Sequence, residues 1–354
     1  MRIVRRYLFR SIMSMILLVM AVLLSLSVFI EFVGQLDDTG TGNYGIPQAL
    51  FFAVLKLPSM AFGMLPMATL LGGLLGLGAL ASNSEFIVLR AAGISVARMA
   101  AAVGVTGVGL ALFSILLGEF IAPPLDNYAR QFRTLVKHGE SGIRAGRGAW
   151  VRDGDTIIRL GPQDEDLSYD GVYMFKMGVD GLESVARADS AEIDESDQWV
   201  LNNYAESRFV ESGVSVSEQR RAVQPYSLNS EVLELMVVRP SSLTGAALYR
   251  YITYLRENEL DASRYELAFW GRIASSVSVL PMCLLALPFA FRSLRSGSAG
   301  ARLLIGVIIG LAYFLVSRTL SDGGAVFQIS PLVVAWAPTV LLSLVVLFLL
   351  RRLR

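Results

Sequence analysis

Long charge-free apolar stretches recur along this chain. Six of them are long enough, or nearly so, to cross a hydrocarbon core, which takes about 20 residues. They run Ser11 to Ile30, Leu57 to Asn83, Met99 to Gly118, Ile273 to Phe291, Leu303 to Ser317 and Gly323 to Leu350. The fifth is short and is expected to extend to about Leu320, leaving Arg318 near the interface. Turns before Lys56 are expected to lengthen the second into a tilted span. A cleaved signal peptide is the alternative for the first. Its apolar run exceeds the usual h-region, however, and Glu31-Phe32-Val33-Gly34-Gln35 offers no small-x-small cleavage site.

Between the third and fourth stretches the pattern changes to short β-rich runs separated by turn residues. Trp150-Val151-Arg152, Thr156 to Leu160, Val172 to Met177, Leu182 to Ile193, Trp199 to Val210 and Val214 to Ser217 read as strands. Asp153-Gly154-Asp155, Val179-Asp180-Gly181, Asp194 to Asp197 and Glu211-Ser212-Gly213 read as their turns. Strands at this spacing argue for a sandwich, jelly roll or open barrel. After Pro240 a helical period returns, with Leu248, Ile252 and Leu255 on one face opposite Arg250, Thr253 and Glu257, and Ser241 or Ser242 placed to cap it.

The expected fold class is therefore an α-helical membrane protein with six transmembrane helices and a jelly-roll-like all-β domain between helices 3 and 4. The expected organisation is helices 1–3 in residues 1–126, the β-domain in 127–240, a juxtamembrane helix and connector in 241–268, and helices 4–6 in 269–354.

Composition adds direction. The chain is 54% hydrophobic and 17% charged, with mean hydropathy +0.54, whereas soluble domains carry about 25% charged residues. Arginines cluster in the segments that an inside N-terminus places together: Arg2, Arg5, Arg6 and Arg10, then Arg90 and Arg98, then Arg292, Arg295 and Arg302, then Arg351, Arg352 and Arg354. Glu85 is the one acid among them. Asp37, Asp38, Asp322 and the acidic β-domain fall on the other side. The positive-inside rule then puts both termini in the cytoplasm and the β-domain outside.

A single cysteine (Cys283) and a single histidine (His138) exclude a disulfide framework and a Cys/His metal site. No clustered basic stripe points to nucleic acid. The G-x-x-x-x-G-K-[ST] phosphate loop is absent, and no lysine follows a glycine. Lys56, Glu119, Arg272 and Arg318 lie near span ends, so few ionisable groups remain for an ion relay. A secondary transporter is the disfavoured alternative, and a membrane scaffold is another.

The most informative inner segment follows the second stretch. Ser82 and Glu85 have capping-box spacing and Gly93 is a natural stop, which predicts a short helix over 83–92. Such a helix suits docking into a partner's groove, with Glu85, Phe86, Leu89 and Arg90 as the candidate contacts. Capping alone is the other reading of Glu85. Basic residues placed to meet lipid phosphates on the outer side are Arg130, Arg133 and Lys137, at one-face spacing after the third span, and Arg318. The second span is rich in small and helix-breaking residues: Pro58, Gly63, Pro66, Gly72, Gly73, Gly76 and Gly78. They serve either close helix packing or a flexible gate.

The run Leu65 to Gly72, Leu75-Gly76-Leu77-Gly78 and Ser84-Glu85 through Ala92-Gly93 resembles the LptF/LptG permease family of bacterial lipopolysaccharide export. So do Phe32 to Leu36, Gly118-Glu119-Phe120-Ile121-Ala122-Pro123 and Asp261 to Tyr265. The Arg90-Ala91-Ala92-Gly93 and Phe32-to-Leu36 forms resemble LptG more than its paralogue LptF. The resemblance covers almost the whole chain. It implies a non-enzymatic permease subunit of an ABC transporter in the inner membrane, serving outer-membrane biogenesis. The implied partners are an LptB ATPase dimer, which binds the ATP and magnesium, the permease LptF, and LptC. The chain itself needs no cofactor. The implied task is to extract lipopolysaccharide and pass it to a periplasmic β-jelly-roll bridge. Glu85 matches the family's coupling-helix glutamate. Relatives carry basic residues near the end of span one, where this chain has Glu31, Asp37 and Asp38.

Overall fold

The computed structural model describes residues 2–138, 150–161, 169–178, 181–193, 198–210, 213–224, 240–292, 299–326 and 329–352. The turns expected at 179–180, 194–197 and 211–212 lie outside the described residues, as do Arg295 and Arg354. The chain divides into two compact units, Met1–Asp37 with Ile46–Ala129 and Ser263–Arg354, and Asp38–Gly45 with Arg130–Ala262.

The first unit is helical. Among the described residues, six helices are long and apolar enough to cross a membrane. They are α1 (Arg2–Leu36), α3 (Leu57–Ser82), α5 (Val96–Leu116), α8 (Ser263–Arg292), α9 (Ala299–Val326) and α10 (Pro331–Arg351). The second span, α3, matches the expected Leu57 to Asn83, but the turns before Lys56 do not lengthen it: they form a separate helix, α2 (Ile46–Leu55), and α3 starts afresh with Pro58 in its first turn. Proline there removes an amide that would have no partner anyway. The sixth span starts at Pro331 rather than Gly323, and residues 323–326 belong to α9. A π-helical turn (Leu117–Ile121) follows α5, and α6 (Ala122–His138) continues from it.

Within this unit α3 and α8 are the buried central pair. α1 packs on α3, α5 and α10 pack on α8, and α9 packs on α3. Helices in lipid gain little from burying apolar surface against one another, so association rests on close contact. Gly72 and Gly76 supply it on α3. A Cβ at Gly72 would meet the Ile16 Cα at 2.4 Å, and one at Gly76 would meet the Ser11 carbonyl oxygen at 2.9 Å. Ser11 Oγ also donates to the Gly76 carbonyl at 3.3 Å. These glycines therefore carry close packing, the simpler of the two readings.

In the second unit the described strands β1 (Trp150–Asp153), β2 (Thr156–Arg159), β3 (Tyr169–Gly178), β4 (Gly181–Ile193), β5 (Trp199–Val210) and β6 (Gly213–Gln224) form one antiparallel sheet in sequence order. Every expected strand is present, and β6 runs seven residues beyond the expected Ser217. Alternation buries Val172 and Met174 of β3, Ala186 and Ala188 of β4, and Trp199 and Leu201 of β5.

A 3₁₀ turn (Pro240–Ser242) precedes α7 (Gly245–Glu257). Thr244 caps α7 by accepting from the Ala247 amide at 3.2 Å, correcting the expectation for Ser241 or Ser242. Leu248, Ile252 and Leu255 are buried as their spacing predicts. Tyr254 Oη donates to the Arg152 carbonyl at 2.6 Å, and the Gly154 amide donates to Asn258 Oδ1 at 2.9 Å. The end of α7 is thereby fastened to the β1–β2 hairpin.

Replacing Gly72 with valine forces two backbones apart, a cost of about 1–3 kcal/mol or more. Gly63, with nothing within 4 Å of its Cβ position, tolerates alanine. Thermal unfolding in detergent is expected to show a clear drop for Gly72→Val and little change for Gly63→Ala. Equal melting would remove the glycine contact as a determinant of the α1–α3 packing.

Candidate functional site

Two groups of the predicted residues can be followed into the structure. The first is the short helix after α3, here α4 (Glu85–Ala91). Its start is set by backbone geometry rather than by a capping box. Ser84 takes a left-handed conformation (φ 61°) and makes no side-chain cap. Ser82 Oγ donates backward to the Gly78 carbonyl at 2.9 Å instead. Its end follows the expectation for Gly93, which sits at φ 79°. The Gly93 amide donates to the Arg90 carbonyl at 2.9 Å and the Ile94 amide to the Leu89 carbonyl at 3.1 Å, a Schellman stop.

The four candidate contacts on α4 separate by direction. Phe86 is fully buried, its ring 4.9 Å from that of Phe291 on α8. Leu89 packs half-buried against the same core. These two anchor α4 to its own unit, while Arg90 remains on the open face. Ile87 and Val88 lie beside it at 55% and 65% exposure, an apolar surface that the sequence reading passed over. A helix with Phe86 and Leu89 inward must turn Ile87 and Val88 outward, so the signal was present in the spacing.

Glu85 meets a residue that sequence reasoning did not anticipate. Tyr7 Oη on α1 donates to Glu85 Oε2 at 2.7 Å. Through Glu85 and Phe86, then, α4 is fastened to both α1 and α8.

The second group lies in the other unit. Arg133 and Lys137, one helical turn apart on α6, both pair with Asp38. The Lys137 distance is 2.7 Å, and Lys137 Nζ also lies 5.3 Å from the centre of the Tyr44 ring. The Asn43 amide donates to the Val136 carbonyl at 3.0 Å, which holds the 38–45 segment along the helix. The hydrogen bond from Lys137, opposed in part by burial and reinforced by Arg133, holds the Asp38 carboxyl below its ordinary range.

Arg130 is half-buried on the same helix. Arg318 belongs to the helical unit, where it pairs with Asp322 at 3.0 Å on an exposed surface. Two of the three acids near the end of α1, Asp38 and Glu31, thus have cationic partners. Asp38 has Arg133 and Lys137, and Glu31 holds Lys56 at 2.9 Å.

At the level of sequence relatives, residues 6–352 match the family described as lipopolysaccharide export system permease LptF/LptG. The chain belongs to that family. The lipopolysaccharide export system permease protein LptG of Haemophilus influenzae is 34% identical over 351 residues, covering 99% of this chain and 98% of that protein. LptG of Escherichia coli K12 is 32% identical, covering 98% and 97%. Both relatives are LptG, which favours that form over LptF. The permease is accordingly a multi-pass membrane protein, and its six helices and inserted β-sheet are the architecture expected from its sequence.

The Asp38 cluster of this LptF/LptG permease makes a pH-dependent contribution. A carboxyl held below its ordinary pKa stabilises the fold above about pH 3.9 and loses that effect as pH falls through the folded value. Asp38→Asn is expected to lower stability by about 1 kcal/mol at pH 7, since these pairs are partly exposed. The gap to wild type should close on acidification below about pH 4. Denaturation curves of both proteins across that range check it, and a gap independent of pH would assign the effect to packing.

Proposed function

We propose that this chain is the LptG-type subunit of an ATP-driven exporter that extracts lipopolysaccharide from the inner membrane and passes it to a periplasmic β-jelly-roll bridge. In this reading LptF is the second permease, an LptB dimer hydrolyses ATP with magnesium, and LptC receives the lipid. Both termini face the cytoplasm and the β-domain faces the periplasm, as the arginine distribution favours. The full-length match to LptG relatives is the observation that carries the proposal.

In the same reading α4 is the coupling helix. Its exposed face of Ile87, Val88 and Arg90 docks on the ATPase, and its inward anchors hand any displacement to α1 and α8. Glu85 has two possible roles: an ionic contact with the ATPase, or a strap to α1 through Tyr7. Glu85→Gln removes the charge but leaves a carbonyl oxygen for the Tyr7 hydroxyl. Tyr7→Phe removes the hydrogen bond and leaves the charge. If the ionic contact couples, Glu85→Gln loses lipid transport with the complex assembled, while Tyr7→Phe retains it. Breaking one partner of a buried interfacial pair costs about 2–5 kcal/mol, enough to abolish coupling. Loss in Tyr7→Phe with normal Glu85→Gln assigns the strap. Normal transport in both removes α4 as the coupling element.

Arg130, Arg133, Lys137 and Arg318 are proposed to meet the lipid's phosphates. For Arg133 and Lys137 a phosphate would replace the Asp38 carboxylate as partner. Reversal of Arg133 to glutamate is expected to weaken lipid-stimulated ATPase activity of the assembled complex several-fold. Unchanged stimulation across reversals of all four removes them from the lipid path.

At the end of the sheet Phe209, Val210, Val214 and Val216 are exposed, and β6 is an edge among the described strands. An open strand edge can pair with a neighbouring sheet, which favours β6 as the edge that continues the bridge.

A further inference from the structure

Three neighbouring cavities of the helical unit share lining residues along α1 and α5. The first, about 290 Å³, is lined by Arg5, Arg6 and Phe9 of α1 and Ala102, Val105 and Thr106 of α5. The second, about 270 Å³, shares Arg5, Ala102 and Val105 with it and adds Arg98. The third is a nearly wholly apolar groove of about 600 Å³ that shares Phe9 and Thr106 with the first. Met13, Met20 and Leu24 of α1 face Gly109 and Phe113 of α5 along it. Its volume is within the range of pockets that hold small ligands, about 300–1,000 Å³.

Charge is confined to one end. Among the described residues, Arg5, Arg6 and Arg98 have no ion-pair partner. From Phe9 to Leu24 the groove follows α1 for about 22 Å at 1.5 Å per residue. That exceeds half of a hydrocarbon core about 30 Å thick. A cationic mouth opening into an apolar trough deeper than one leaflet matches a molecule with an anionic head and a long acyl chain. Basic pockets between transmembrane helices are a recognised form of anionic-lipid site.

We propose that the α1–α5 groove binds an anionic phospholipid of the leaflet on the arginine side, its phosphate between Arg5, Arg6 and Arg98 and one acyl chain lying from Phe9 toward Leu24. The lipid is a resident of the bilayer and not the exported substrate. Assigning that leaflet to the cytoplasmic face rests on the orientation proposed above. The occupancy of the groove does not. A lipid here would lie beside the α1–α3 contact, since Ile16 of α1 and Ala61 and Leu65 of α3 also line the groove.

Native mass spectrometry tests this on the permease complex purified from nanodiscs of equimolar phosphatidylcholine and phosphatidylglycerol. Wild type is expected to retain phosphatidylglycerol at least fivefold over phosphatidylcholine. The triple variant R5A/R6A/R98A should lose that preference. Gly109→Leu, which has open space at its Cβ, should fill the trough and also reduce retention with all three arginines intact. R351A/R352A, at the far end of α10, should leave retention unchanged. Equal retention of the two lipids by wild type would overturn the proposal. So would unchanged phosphatidylglycerol in Gly109→Leu, or loss in R351A/R352A equal to that in the triple variant, which would mark bulk surface attraction. Lipopolysaccharide as the retained species in place of phosphatidylglycerol would overturn it too. Because the measurement needs no transport, its failure is separable from failure of the export reading.

Discussion

Close approach between α1 and α3 is the contact on which much of the helical unit depends. Lipid offers these helices an environment as apolar as their own side chains, so burial alone does not hold them together. The backbone of α1 reaches α3 at Gly72 and Gly76, where no side chain stands between. α3 in turn packs on α8, and α8 on α5 and α10. The position of α1 then determines two further features. It presents Tyr7 to Glu85, and it forms one wall of the arginine-mouthed groove.

Polar groups in this unit are placed with equal economy. Glu119 occupies the π-helical turn after α5 and pairs with Arg272 of α8 at 3.4 Å. Ser114 and Ser276 bond at 3.2 Å beside them. A π-turn rotates the following residues relative to an uninterrupted α-helix, and here it accompanies a charge pair between neighbouring helices. A partly buried pair of this kind stabilises weakly, but losing one member leaves the other charge poorly solvated between the helices. It therefore specifies which faces of α5 and α8 meet.

The spans were legible because absence of charge over a membrane thickness is a signal that survives without any knowledge of packing. The break at Lys56 was less so, although Pro58 in the first turn of α3 marks a helix start. In the β-domain the alternating runs and glycine turns located every described strand, whereas the length of β6 escaped, since Glu218 to Arg221 is a polar, mostly charged run that nonetheless pairs with β5. At the candidate site Gly93 located the end of α4. The start was misread because Ser82 and Glu85 have the right spacing while Ser84 turns the chain between them. Seven residues also give too little periodicity to separate buried Phe86 from a docking contact. The Asp38 cluster joins residues 95 positions apart, and no local pattern reports a pairing over that distance.

The helix α4 lies between two left-handed residues, Ser84 at φ 61° and Gly93 at φ 79°. Such residues interrupt helical hydrogen bonding, so the segment begins and ends independently of the long helices around it. Its open face of Ile87, Val88 and Arg90 is also free of the packing that constrains Phe86. In evolutionary terms this is an interchangeable module. Substitutions on the open face can accumulate without disturbing the Phe86 and Leu89 anchors, so that surface can drift while the frame that positions it stays the same.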